Sequence, residues 1–312
     1  MSKRKAIFLV FLSAIIISLL VLGFKINQYL SPVNVHSSAG RVNILILGIG
    51  GKGHAGGDLT DTMIFVSVSL NRPSVVFVSL PRDIWIPSIR AKINSAYYWG
   101  GFALAKSTTE EVVGQPIDYA LVMDFSGFTK IIDVLGGVQV NIERSFVDEE
   151  YPIAGKENDT CGGDPQLRCR YETVSFAKGL TVMDGETALK FARSRYAKGD
   201  EGTDLARAAR QEKIIQAVKN KLLSKDFFLS PKKIIAVWQA VRESVQTDLG
   251  NNALAILAGR ILMGRNNIVQ TTLPEELLVN PPISPTYDNQ YVFVPQNGNW
   301  DKVHEWISSL FN

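Results

Sequence analysis

Seven short runs rich in β-branched and other apolar residues recur along this chain, with helical patterns between them. That alternation constrains the fold more than any other feature of the sequence. The runs are Val42–Leu47, Met63–Leu70, Val75–Leu80, Tyr119–Met123, Val138–Ile142, Ile268–Leu273 and Tyr291–Val294. Several are almost continuously apolar, which suits strands covered on both faces. Helical periodicity lies at Phe102–Val113, Ser126–Leu135, Glu186–Arg193, Asp204–Leu223, Ile234–Val245, Ala253–Leu262 and Trp300–Leu310. Asp184 precedes the third as an N-cap, and Gly136-Gly137 stops the second. Strands with helices on both sides predict a three-layer α/β/α sandwich around a mixed central sheet.

The N-terminus adds a second constraint. Lys3, Arg4 and Lys5 precede an uncharged apolar run, residues 6–24, long enough to cross a hydrocarbon core as a helix. The basic flank sets the tail, residues 1–5, in the cytoplasm. The expected organisation is therefore that tail, one transmembrane anchor at 6–24, a stalk at 25–41 and one extracytoplasmic domain at 42–312. A cleaved signal peptide is the competing reading. The run exceeds the usual signal core, and no small-x-small cleavage site follows closely; either reading exports the domain. A net charge of +3 is too mild to imply nucleic acid. Cys161 and Cys169 flank a short polar segment and can form a disulfide outside the membrane. They lie in an irregular acidic stretch, residues 144–172, read as a surface insertion. The histidines, His36, His54 and His304, make no ligand spacing and read as surface or satisfied residues.

The polar features with chemical content are mostly arginines. Arg82 follows the third apolar run after Pro81, where open α/β sheets place ligands. Arg193 and Arg195 are two apart, so on one helix they would diverge by about 200°. Both face one site only if the helix ends near Arg193 and the chain extends. Asp204, Arg207, Arg210 and Gln211 form a polar stripe on the next helix, starting at an end that favours phosphate. An amphipathic helix with internal Asp–Arg pairs explains the same stripe. Asp61, at the entrance to the second strand, reads equally as a metal-binding or proton-accepting carboxylate and as a turn residue beside Thr60 and Thr62. Gly48, Gly50 and Gly53 match a dinucleotide fingerprint, but no helix-forming stretch follows before the strand at Met63. Nucleotide binding is excluded on that ground, and the glycines serve tight turning of the backbone.

Taken together, the ordered segments resemble the LytR-CpsA-Psr family of bacterial envelope enzymes. They are NILILGIG at 43–50, DTM at 61–63, SLPRD at 79–83, KINSAYYWGG at 92–101, DFSGF with DVLGGVQVNI within 124–142, KGLTVMDGETALKFARSR at 178–195 and DLARAARQ at 204–211. The resemblance implies a membrane-anchored phosphotransferase. Its donor would be an undecaprenyl-pyrophosphate-linked glycopolymer, and its acceptor a cell-wall hydroxyl on peptidoglycan, joined through a phosphodiester. It implies Mg²⁺ and no nucleotide. By position, Asp61, Arg82 and Arg193 would be catalytic. Arg82, Arg193, Arg195, Arg207, Arg210 and Gln211 would bind the pyrophosphate, and Asp61 would be the metal-linked or base carboxylate, with nearby Asp58 a second metal candidate. The chain departs from the family at Gly50 or Gly51 and at Leu59, where many members carry a carboxylate and an arginine; Asp58 and Lys52 are the nearby substitutes. The same residues also suit a prenyl-pyrophosphate hydrolase. A polyprenyl-phosphate-binding or wall-sensing protein without turnover is the reading from a different class.

Overall fold

The computed structural model describes residues 37, 40–51, 54, 56–222, 224–264 and 267–311. The expected tail and anchor, His36 and Lys52 lie outside the described residues, as does nearly all of the stalk. Among the described residues no helix is long and apolar enough to cross a membrane.

In chain order the strands are β1 (Arg41–Ile49), β2 (Thr60–Ser69), β3 (Val75–Leu80), β4 (Trp85–Ile86), β5 (Ala91–Lys92), β6 (Tyr119–Asp124) and β7 (Val138–Ile142). They continue with β8 (Phe146–Pro152), β9 (Tyr171–Phe176), β10 (Gly179–Met183), β11 (Val245–Thr247), β12 (Ile268–Thr272), β13 (Leu278–Val279) and β14 (Val294–Pro295). The α-helices are α1 (Ala96–Val113), α2 (Phe125–Val134), α3 (Gly185–Arg193), α4 (Asp204–Leu222), α5 (Lys225–Phe228), α6 (Pro231–Ser244), α7 (Asn251–Met263) and α8 (Asp301–Ser309).

The central sheet has the order β11-β6-β1-β2-β3-β12 and is mixed. β1 runs parallel to β6, and β3 parallel to β12. β2 runs antiparallel to both of its neighbours, β1 and β3. The period-2 geometry of a strand divides the apolar residues between two faces. Leu45, Leu47, Met63, Phe65, Val76 and Val78 pack on one face beneath α1 and α8, through Ala105, Val112, Val303 and Ile307. Val42, Ile44, Val66, Val68 and Val75 pack on the other against Ala253 and Leu257 of α7. This is the predicted sandwich, and its continuous apolar runs are the strands buried on both sides.

Three expectations are corrected in detail. Val138–Ile142 does form a strand, but it pairs with β10 in a separate two-stranded ladder rather than with the central sheet. Tyr291–Val294 yields only the two-residue strand β14. Helix α1 begins before Phe102, with a break at Gly100 and Gly101, whose backbone is not helical. A second core forms beside the main sheet. It joins Ile132 of α2, Val138 and Val140 of β7, Phe146 and Tyr151 of β8, Phe191 of α3 and Ile214 of α4.

Residues 144–172 also have more structure than an irregular insertion. β8 and β9 pair as an antiparallel hairpin, and Phe146, Tyr151, Val174 and Phe176 are buried. The hairpin's end is polar and exposed, and there Cys161 and Cys169 form a disulfide.

Candidate functional site

The topology gathers one set of polar side chains at one end of the sheet. β1, β6 and β3 all point their C-terminal ends the same way, since Ile49 pairs with Asp124 and Leu80 with Met63. Ligands in open α/β sheets lie beyond such ends. Among the described residues the loop from β1 to β2 carries no helix before the antiparallel strand, so the dinucleotide fingerprint has no helix N-terminus behind it there. Three backbone hydrogen bonds knot the loop: Gly51 N–H to Gly57 O at 2.8 Å, Gly57 N–H to His54 O at 2.9 Å and Leu59 N–H to Gly56 O at 2.8 Å. Gly57 cannot carry a side chain, because a Cβ there would sit 2.2 Å from Gly51 O.

Around this loop stand Asp61, Arg82, Asp124 and Arg193. Arg82, just past β3, donates from Nη1 to Oδ1 of Asp61 on β2. Asp83 lies 3.6 Å from Nε of Arg82 and accepts from Lys92 at 2.7 Å. Asp61 remains 45 % exposed, so the pair opens to solvent. Asp124 ends β6 and caps α2, its Oδ1 accepting from Gly127 N–H and the Ser126 hydroxyl, both at 2.7 Å. Arg193, at the end of α3, donates to the Tyr151 hydroxyl at 3.1 Å and lies over the Phe125 ring at 4.1 Å. The ring face stabilises the guanidinium and fixes its plane. Burial raises the Tyr151 pKa, and the Arg193 charge opposes that rise.

The α3–α4 connection meets the condition that the sequence imposed on Arg193 and Arg195. Helix α3 stops at Arg193, and Ser194 has an extended ψ of 133°. A buried carboxylate from the hairpin holds this break. Asp148 Oδ2 accepts from the Ser194 hydroxyl at 2.6 Å, Arg195 N–H at 2.9 Å and Tyr196 N–H at 3.1 Å, while Oδ1 accepts from Glu150 N–H at 3.0 Å. Burial alone would raise the Asp148 pKa, but these four bonds hold it below the ordinary carboxylate value.

Helix α4 distributes its polar stripe unevenly. Arg210 is 3 % exposed. It donates to Phe191 O at 3.1 Å, to Glu201 O at 2.9 Å, to Glu201 Oε2 at 3.1 Å and to Ser194 O, and it stacks on Phe146 at 4.8 Å. Burial lowers its pKa. Its guanidinium is thus committed to the α3–α4 turn. Arg207 lies within electrostatic reach of Arg210, and it and Gln211 are half-buried on the same helix. Asp204 is the first residue inside the helix, and the Thr203 hydroxyl accepts from Ala206 N–H as the cap, at 3.1 Å.

His54 and Asp124 are the site residues that sequence reasoning missed. His54 reads from sequence as a surface or satisfied residue; its side chain is 17 % exposed, with its ring edge-on to Phe125 at 5.1 Å. Burial, and then the charge of Arg193, lower its pKa against the opposing pull of Glu157, Asp61 and Asp124. His304 lies elsewhere, with Nε2 3.0 Å from Glu111 O. Asp58 is exposed in the loop, and its charge reaches Tyr97.

Among the described residues one group of three has metal-ligand atoms within 4.8 Å of one another: Asp159, Cys161 and Cys169. Both sulfurs are in the disulfide, so this group offers no thiolate.

The LytR_cpsA_psr family model matches residues 24–307. A polyisoprenyl-teichoic acid–peptidoglycan teichoic acid transferase TagU of Oceanobacillus iheyensis is 34% identical over 238 residues, 73% of this chain and 65% of that protein. The TagU of Bacillus cereus is 30% identical over 212 residues, 67% of this chain and 60% of that protein. The match therefore spans a little under two thirds of these relatives' length. The crystal structure of B. subtilis TagV superposes with a TM-score of 0.63 at 24% identity, covering 88% of this chain and 98% of that one. That likeness concerns the fold.

Proposed function

The chain belongs to the LytR-CpsA-Psr family, and from that membership and the geometry of its site we propose that it is a membrane-anchored glycopolymer phosphotransferase. Its donor is a polyprenyl-pyrophosphate-linked glycopolymer, and its acceptor is a hydroxyl of peptidoglycan. The observation that carries the reading is that the half-exposed Asp61, which accepts from Arg82, and Arg193, from a distant segment, both lie within electrostatic reach of His54 at the C-terminal end of the sheet.

Arginine suits this task because its planar fork donates two hydrogen bonds to phosphate and never loses its charge. Arg82 and Arg193 take the pyrophosphate directly, with Arg195 beyond the helix break and Arg207 and Gln211 on α4 completing the wall. Arg210 holds the turn from which Arg193 and Arg195 project, which makes it a positioning group. Breaking the bridge of a pyrophosphate develops charge on the departing phosphate, and fixed cations stabilise that charge without reorganising. No nucleotide is required, because the pyrophosphate carries the driving force. The apolar run at 6–24 keeps the enzyme beside its lipid donor.

The donor set also fits Mg²⁺. That ion takes hard oxygen ligands, keeps several waters, and binds through one or two carboxylates plus substrate phosphates. Asp61 and Asp58, both exposed to solvent at the loop, are such carboxylates. When bound there, the ion would neutralise phosphate charge. The Asp159 group at the disulfide lacks this chemistry.

The test is direct. Full-length protein in detergent is mixed with a prenyl-pyrophosphate-linked sugar, Mg²⁺ and peptidoglycan fragments, and products are followed by mass spectrometry. A sugar phosphate joined to the fragment, absent with Arg82→Ala and Asp61→Ala, is the expected result. Lipid bound at unchanged mass, with no product, would favour a binding protein.

A further inference from the structure

The site has a base that its sequence motifs do not announce. We propose that His54 accepts the proton of the incoming hydroxyl through Nε2, and that Glu157 of the disulfide-tied hairpin orients its ring. This rests on the transferase reading given above.

The first observation is steric. A Cβ at Gly50 would lie 3.0 Å from the His54 Cβ. His54 therefore fills the space that a side chain at position 50 would use. The loop's knot fixes His54 through its own carbonyl, which accepts from Gly57 N–H.

The second observation is the company the ring keeps. Four charged groups act on it: Arg193 from the end of α3, Asp61 from β2, Asp124 from the end of β6 and Glu157 from the hairpin. Phe125 meets the ring edge-on. Nδ1 faces Oε1 of Glu157 at 3.9 Å. Closing that gap by less than an ångström makes a hydrogen bond, and such catalytic contacts commonly tighten once substrate is bound. A carboxylate on Nδ1 selects the tautomer with its proton there and leaves the Nε2 lone pair free to accept. Burial and Arg193 together favour the uncharged ring, which is the form that can take a proton. Asp61 is less suited to that role, because Arg82 already occupies its Oδ1.

The third observation concerns Glu157 itself. It lies in the stretch between β8 and Cys161. That stretch is tied back to the other arm of the hairpin. Ile153 N–H donates to Arg170 O at 2.8 Å, Arg170 Nε donates to Asp159 O at 2.7 Å, and the Cys161–Cys169 bond closes the end. The insertion thus delivers a carboxylate to the site.

The step balances as follows. The acceptor oxygen attacks the sugar-proximal phosphorus and forms a new P–O bond. The bridging P–O bond breaks, and polyprenyl monophosphate leaves with the electron pair. The hydroxyl proton passes to Nε2 of His54 and is then released to solvent.

Initial transfer rates with the full-length protein test this. His54→Ala and His54→Gln should lower the rate by about 10²–10⁴-fold. KM for the lipid donor should stay unchanged, and added imidazole should restore part of the His54→Ala rate. Glu157→Gln should lower the rate less, and its rate should rise with the same pH dependence as wild type, displaced. Wild-type rates in His54→Ala would overturn the proposal. So would a loss that imidazole leaves unrescued while thermal unfolding matches wild type. If wild type itself transfers nothing, the transferase reading fails and this one falls with it. Transfer by wild type alongside unimpaired His54 variants overturns only the role of His54.

Discussion

The carboxylate of Asp148 is the group on which the α3–α4 turn depends, and replacing it with asparagine should cost about 3 kcal/mol of stability. One oxygen accepts three hydrogen bonds, from Ser194, Arg195 and Tyr196, and the other accepts one, from Glu150. Asparagine keeps a single acceptor. Turned to serve the three donors, it converts charge-assisted bonds into neutral ones, each about 1 kcal/mol weaker. Its amide then faces Glu150 N–H, which is near solvent and can use water. Urea unfolding at pH 7 measures the difference. With a slope of about 3 kcal/mol/M, the midpoint of Asp148→Asn should fall by about 1 M. The pH dependence gives a second check. Asp148 has a folded pKa below its unfolded value of about 3.9. Its contribution is therefore fully present above that unfolded value and is lost as pH falls through the folded one. The gap between wild type and Asp148→Asn should close in the same acidic range. A variant within about 1 kcal/mol of wild type at pH 7, or a gap that persists unchanged in acid, would refute this account of the turn.

Further outcomes follow from the same geometry. Arg210→Met should destabilise the fold by about 3 kcal/mol, since it strands the carbonyls of Ser194 and Phe191, whereas Arg207→Met should weaken lipid binding with little change in thermal stability. Phe191→Ala, at the centre of the second core, should lose about 3–5 kcal/mol in denaturant melts. Reduction of Cys161–Cys169 should cost about 2–3 kcal/mol by the chain-entropy estimate and lower transfer through the loosened Glu157 segment, measured as rate with and without reductant. The acidic limb of kcat/KM should fall below the ordinary histidine range of about 6.5, in keeping with the lowered His54 pKa, and should vanish in His54→Gln.

The sandwich was legible because its strands are covered on both faces, so the apolar runs stand out even without partners. The hairpin was not. β8 buries Phe146, Asp148 and Tyr151 among exposed acidic residues, and one of its three buried positions is itself a carboxylate. No hydrophobic pattern announces such a strand. The turn at Arg193 was legible as a geometric condition, since two arginines two residues apart need a helix end between them, and the chain provides it. Arg210 shows the limit of stripe reasoning. Residues i, i+3 and i+6 share a helix side, yet spacing cannot tell which member of the stripe is buried against a neighbouring turn. His54 was hidden for a different reason. A lone histidine has no spacing, and its partners Asp124, Glu157 and Arg193 come from three separate segments that only the tertiary fold unites.

The measurement that tests the central claim most directly is the fate of the phosphate oxygen. Full-length protein, lipid-linked sugar, Mg²⁺ and peptidoglycan fragments are incubated in H₂¹⁸O, and the products are resolved by mass spectrometry. The account predicts a sugar phosphate joined to the fragment with no ¹⁸O incorporated, formed by wild type and lost with Arg82→Ala and Arg193→Ala. Free sugar phosphate carrying one ¹⁸O, with no adduct on the fragment, would show transfer to water and contradict it.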